Sequence, residues 1–299
     1  MKDGSDRASS VANAGKFLDP DITANGDLRA KVVLSNPETL WFNTGTLCNI
    51  ACTGCYILSS PTNDALVYLT VNEVEDYLAQ LKDRNWGVRE IGFTGGEPFM
   101  NPDMIPMITA SLHRGYDVLI LTNAMQPMMR PRIQADLASL IAKYRDKLTF
   151  RVSLDHFGAE LHNSVRGENA FEKSIKGMHW LQDHGARLAV AGRTLWNETE
   201  SASRAGFAAL FKRERFDIDA SHPGQCMLFP EMDETVEVPE ITTACWDILG
   251  KHPNEVMCAS SRMVVRRKGS DRASVLACTL LPYDAQFEMG HYTTHRRLL

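Results

Sequence analysis

Cys48-Asn49-Ile50-Ala51-Cys52-Thr53-Gly54-Cys55 sets three thiols inside eight residues. Neither a regular helix nor a strand points all three at one place; a loop wrapped around a metal centre does. Among biological metals, thiolates prefer zinc or iron–sulfur clusters. A structural zinc site takes a fourth protein ligand and normally uses paired short spacings. Here the next cysteine is Cys226 and the nearest downstream histidine is His113, so the set is one ligand short. Three cysteines on a four-iron cluster would leave one iron open for something else. Zinc with a distant fourth ligand stands as the other reading.

Composition narrows the class. The chain has 299 residues, of which 44% are hydrophobic and 23% charged, ordinary values for a globular protein. That length suits one large α/β domain with a smaller appendage. A net charge of −5 argues against a broad basic surface, and so against nucleic acid or an anionic membrane as partner. The N-terminus lacks the apolar run of a secretory signal, and no stretch has the length of a membrane span. Seven cysteines, three of them clustered, fit metal binding in a reducing compartment better than a disulfide framework. The expected location is cytoplasmic.

Around the cysteine loop the chain follows a β–α rhythm. Residues 1–30 are polar and without sustained period, and residues 1–39 read as an N-terminal arm or lid. Trp41 to Thr46 reads as a strand leading into the cysteines. Thr70-Val71-Asn72-Glu73 has the form of a capping box, with Val74, Leu78 and Leu81 at helical spacing behind it. Further strands are expected at 89–94, 117–121, 150–154 and 188–191, with a sixth between 215 and 229. Helices are expected from Asn101-Pro102, over 131–147, over 169–185 and over 201–213. Repeated strand–helix units imply a parallel sheet with right-handed crossovers, whose reactive residues gather at the carboxyl ends of the strands. Cys48, Gly95, Thr122, Asp155 and Arg193 all follow or end such runs. The expected fold is α/β: a partial (β/α)6 barrel over 40–234, then a small α+β extension over 235–299 containing a β-hairpin. The hairpin is read from Ser260–Arg267 and Arg272–Leu281 about a polar Gly269 turn.

The cysteine loop is followed some forty residues on by Gly95-Gly96-Glu97-Pro98, at the end of an apolar strand. Together they resemble the radical S-adenosylmethionine (SAM) superfamily, over roughly residues 40 to 230. The resemblance implies that Cys48, Cys52 and Cys55 hold a four-iron four-sulfur cluster whose open iron is chelated by SAM. It implies reductive cleavage of SAM to a 5′-deoxyadenosyl radical that abstracts a substrate hydrogen atom. By motif, Gly95, Gly96 and Glu97 would meet the SAM amino group, and Ser153 the ribose or carboxylate. Arg166 would meet the carboxylate, Leu195 would give a backbone contact to adenine, and Asp155 is a candidate near ribose or substrate. No catalytic residue is assigned. One departure stands out: the residue before the third cysteine is commonly aromatic, and here it is Gly54, with Tyr56 following. The plainer readings are a solvated loop arginine for Arg166 and structural strand ends for Ser153 and Asp155. His156 and His162 read as surface or packing histidines, and Met125–Met129 as packing.

Cys226, Cys245, Cys258 and Cys278 are enough in number for an auxiliary cluster, of the kind carried by the twitch or SPASM extensions this region resembles. Their wide spacing, with no close pair, suits buried structural thiols better. The resemblance points to a peptide or protein substrate first and a small metabolite second, with a flavodoxin- or ferredoxin-type electron donor. The rival from another class is a non-catalytic iron–sulfur or zinc scaffold with the same fold.

Overall fold

The apolar runs of the sequence form strands β1 (Thr39–Asn43), β2 (Glu90–Thr94), β3 (Asp117–Thr122), β4 (Leu148–Ser153), β5 (Arg187–Arg193) and β6 (Cys226–Phe229) in the computed structural model, which describes residues 15–231 and 236–291. Between them lie helices α1 (Val71–Arg84), α2 (Met104–His113), α3 (Pro131–Tyr144), α4 (Ala159–Arg166), α5 (Ala170–Asp183) and α6 (Glu200–Glu214). Helix α7 (Cys245–Leu249) and strands β7 (Ser261–Val265) and β8 (Ser274–Leu276) complete the elements used below. No helix among the described residues is long and apolar enough to cross a membrane.

The sheet order is β6-β5-β4-β3-β2-β1-β7-β8. Strands β1 to β7 run parallel, and β8 returns antiparallel to β7. From β1 to β6 every crossover moves to the next strand along, so right-handed connections place the helices on one face and leave a concave face open. On the helix side, Phe42 stacks on Phe93 at 5.8 Å and meets Tyr77 of α1 edge-on at 6.1 Å. The opposite face carries Trp41, Leu119, Met263, Val265 and Leu276 in one buried cluster with Leu66. This is the partial barrel the sequence implied.

Local chemistry explains most boundaries. Thr70 caps α1 through a complete capping box with Glu73, and Asn85 closes the helix in the left-handed conformation. Pro131 opens α3, where its missing N–H costs no hydrogen bond. Helix α2 starts at Met104 rather than at Asn101. Asn101 is buried and spends its Nδ2 on the carbonyls of Thr44 (3.0 Å) and Leu69 (2.8 Å), so it ties loops together.

The expected division of the chain is redrawn. Residues 37–231 and 261–291 form one unit, and residues 15–36 with 236–260 form another. The hairpin expected in a separate extension is present as β7 and β8, but it continues the main sheet. All five residues of β7 are buried, and it pairs in parallel with β1, whose edge would otherwise be open. In the smaller unit, residues 15–36 are not a loose arm. Ala30 N–H donates to the Ile241 carbonyl at 2.8 Å, Ser35 N–H to the Ala259 carbonyl at 3.0 Å, and Arg29 is ion-paired with Glu240. The first fourteen residues of the expected arm lie outside the described chain.

Candidate metal and cofactor site

The cysteine loop leaves the carboxyl end of β1 and is held from three sides. Cys48 N–H donates to the Ser60 carbonyl at 3.0 Å, closing the loop on its own return. Thr53 N–H donates to the Val165 carbonyl in the last turn of α4 (3.0 Å), and the Thr53 carbonyl accepts from Arg193 Nη1 (3.2 Å). Tyr283, beyond β8, donates its hydroxyl to the Ile57 carbonyl at 2.6 Å and accepts from Asn63 Nδ2 at 3.1 Å.

The Gly95–Glu97 turn packs directly beneath. Gly96 N–H donates to the Gly45 carbonyl (2.8 Å) and Glu97 N–H to the Leu47 carbonyl (3.1 Å). A Cβ on Gly95, whose φ is +140°, would lie 2.5 Å from the Gly45 oxygen, and one on Gly96 would lie 2.2 Å from the Leu47 oxygen. The glycines are required because two backbones touch there. The Glu97 carboxylate is buried and accepts from Thr122 Oγ1 (2.8 Å), Asn123 N–H (2.9 Å) and Phe99 N–H (3.2 Å). Burial pushes its pKa up to about 7 against these three donors. The side chain therefore pins the turn to the end of β3.

All seven cysteines are free thiols. Cys48, Cys52 and Cys55 lie close enough to act on one another electrostatically. Among the described residues, no three His, Cys, Asp or Glu are drawn tightly enough around one point to hold a single ion. Burial pushes the Cys48 thiol up to about 12, and burial raises Cys52 as well, although Arg166 and Arg193 pull it down. Buried thiols of this kind become thiolates by exchanging their protons for metal. Asn123 Nδ2 lies 4.0 Å from Cys48 Sγ and 2.9 Å from Asn49 Oδ1, a donor aimed at the first sulfur. Three thiols on one loop, with Arg166 and Arg193 acting on Cys52, make a donor set of the kind that an iron–sulfur cluster takes.

At the end of β4, Arg166 Nε and Nη2 bind Asp155 Oδ2 (2.7 Å) and Oδ1 (2.9 Å) in a fork. Burial would lower the arginine, but the Asp155 carboxylate outweighs it and holds the guanidinium charged above its usual range. Arg166 ends α4, a helix between Gly158 and Gly167, so it is neither solvated nor on a loop. Ser153 is the last residue of β4 and Leu195 follows β5; both are half-buried.

Both histidines are buried, which corrects the surface alternative. His156 Nδ1 accepts from Gly158 N–H (2.8 Å), so its Nε2 carries the proton toward Glu198 at 3.0 Å. Glu198 in turn accepts from Ser203 Oγ at 2.8 Å, and Trp196 stands edge-on to His156 at 4.8 Å. His162 packs edge-on to Phe171, and neither ring nitrogen has a partner. Burial lowers its pKa to about 4, helped by Arg166, so the ring is neutral at pH 7.

Gly54 has a structural reason. Its φ is +69°, and a Cβ would lie 2.8 Å from Arg193 Nη2. The Arg193 guanidinium, paired with Glu231 at 2.5 Å, occupies the space a larger side chain would need. Tyr56 is exposed along its ring, while its hydroxyl reaches the Thr94 side chain, and burial of that end raises its pKa. Asn123, Trp196, Glu198 and Tyr283 carried no motif signal; only the polar end of the β3 run pointed to Asn123.

Within the unit that carries the site, Cys226 and Cys278 are not brought to it by sheet geometry. Cys226 is fully buried at the amino end of β6, opposite the end that carries the cysteine loop. Cys278 follows β8, while Cys245 and Cys258 belong to the smaller unit.

The sequence model of the radical SAM superfamily matches residues 42–200, just over half of the chain. The antilisterial bacteriocin subtilosin biosynthesis protein AlbA of Bacillus subtilis is 31% identical over 145 residues, covering 48% of this chain and 30% of AlbA. The mycofactocin maturase MftC of Mycolicibacterium smegmatis is 26% identical over 160 residues, covering 52% of this chain and 38% of MftC. The matches thus span about a third of these relatives. The crystal structure of Streptococcus suis SuiB bound to S-adenosylmethionine shares the fold at a TM-score of 0.60 and 15% identity, over 86% of this chain and 64% of SuiB. On these matches the chain belongs to the radical SAM superfamily, whose cofactors are a four-iron four-sulfur cluster and SAM.

Proposed function

We propose that the protein is a radical SAM enzyme acting on a peptide, with Cys48, Cys52 and Cys55 as its cluster ligands. The observation that carries the reading is the meeting of the three-thiol loop with the Gly95–Glu97 turn at the carboxyl ends of β1 and β2. Cys48, Cys52 and Cys55 would hold the cluster, which would supply the one-electron reduction of the SAM sulfonium and with it hydrogen-atom abstraction from the substrate.

The chain's own residues bind and orient. The backbone at Gly95 and Gly96 offers acceptors to the SAM ammonium, while the Glu97 side chain fixes the turn. Arg166 brings its charge to the SAM carboxylate with Asp155 holding the fork in place. Ser153 and the Leu195 backbone line the nucleoside end of the same strand edge. Asn123 donates toward the Cys48 sulfur, a contact of the kind that tunes a cluster's potential.

A peptide substrate is supported by the company the chain keeps. SuiB has been crystallised with its precursor peptide SuiA, AlbA serves subtilosin biosynthesis, and MftC is a maturase. A flavodoxin- or ferredoxin-type donor would supply the electron, and the reducing, cytoplasmic setting expected from the cysteines suits it. The test is anaerobic reconstitution with iron and sulfide, reduction with dithionite, and assay of 5′-deoxyadenosine from SAM. Formation by the wild type and loss in Cys52→Ala supports the reading; no product from a fully loaded cluster sinks it.

A further inference from the structure

At the opposite end of the sheet from the cysteine loop, the first residues of β2, β4 and β5 surround a second cavity of about 610 Å³. That volume lies within the range of roughly 300–1,000 Å³ typical of small-molecule sites. Three guanidiniums line it, from Arg145, Arg151 and Arg187. Eight other arginines among the described residues hold a carboxylate in a salt bridge. The three in this cavity do not.

Their hydrogen bonds are equally sparse. Arg151 Nε is buried with no partner, and its Nη2 reaches only the Gly224 carbonyl, at 3.4 Å. Arg187 Nη1 donates to the Asp146 carbonyl at 2.7 Å. Arg145 packs its guanidinium carbon 3.6 Å from where a Cβ on Gly185 would stand. Two carboxylates also line the cavity: Glu90, which acts on Arg151 electrostatically without a salt bridge and accepts from Thr39 Oγ1 at 3.1 Å, and Asp217, which forms no salt bridge among the described residues. Burial disfavours the charged form of both Arg151 and Glu90. Arg151 is half-buried with an unfilled Nε, Arg145 and Arg187 stand exposed at the rim, and an anion bridging the three forks would complete the Arg151 hydrogen bonds.

We propose that this cavity is a second binding site, separate from the cluster, for a small molecule carrying carboxylate or phosphate groups. A strand of this length spans about 17 Å, so a ligand held there does not touch the cysteine loop.

The experiment is calorimetric titration of the full-length reconstituted protein with citrate and with inorganic phosphate, at ionic strength matched with sodium chloride. The expected result is saturable binding of at least one probe, weakened about tenfold or more in Arg151→Gln through loss of charge-assisted hydrogen bonds. The response of the cluster to SAM should stay unchanged in that variant. If Arg151→Gln does not fold, the double variant Arg145→Gln, Arg187→Gln at two exposed positions decides, with the same loss expected. Absence of saturable binding for both probes, or affinity unchanged in the folded variants, overturns the proposal.

Discussion

Glu97 shows how one buried carboxyl serves the turn beneath a cofactor. Its folded pKa of about 7 lies above the ordinary 4.5, so the folded protein holds a proton there that the unfolded chain has released. The associated stability is complete below pH 4.5 and is lost as pH rises through 7. Glu97→Gln keeps the shape and removes the titration. Denaturation of the metal-free proteins should therefore show the variant gaining on the wild type by about 3 kcal/mol between pH 4.5 and 8. A constant difference across that range would contradict the assignment. Asp155 acts as the ion-pair partner of Arg166. Asp155→Ala strands the Arg166 guanidinium in a largely buried pocket, and urea unfolding should register a loss of roughly 3–5 kcal/mol. The motif residues were legible because three thiols and two glycines admit few other uses. Asp155 was legible only as a polar strand end, since its partner Arg166 lies eleven positions away on an element the sequence did not announce.

That element is α4, eight residues between two glycines with only His162 and Val165 buried. Two buried positions are too few to make a helical period visible, whereas α1 advertised itself by its capping box and three spaced aliphatics. Strands β1 to β5 were legible for the same reason in reverse, each an apolar run ending in a polar group. The cysteine loop depends on contacts no local pattern encodes. Tyr283 reaches it from 226 residues away in sequence. Tyr283→Phe removes the hydrogen bond to the Ile57 carbonyl and leaves the aromatic packing in place. It should cost about 1 kcal/mol and lower iron incorporation per chain, read by denaturation and iron analysis. Iron loading equal to wild type would show that the loop holds its shape without this clamp.

At the scale of the molecule, the sheet does not end where the β–α rhythm ends. Strand β7 joins β1 from the far side of some thirty residues that belong to another unit, a pairing set by long-range burial rather than by sequence period. The open edge of β1 could not be read from the sequence, and so the hairpin was expected in an appendage. A chain truncated after residue 260 would expose β1 and lose Met263, Val265 and Leu276 from the core. Such a chain should be recovered aggregated and without iron; a soluble, cluster-loaded product would contradict the sheet order. On the proposed function, the three-cysteine loop and the Gly95–Glu97 turn form one site for a cluster with an open iron and SAM. Electron paramagnetic resonance of the reduced, reconstituted protein, recorded with and without SAM, tests it most directly. The expected result is a cluster signal that shifts on adding SAM and disappears in Cys52→Ala. A signal indifferent to SAM, or a protein that binds zinc in place of iron, would contradict it.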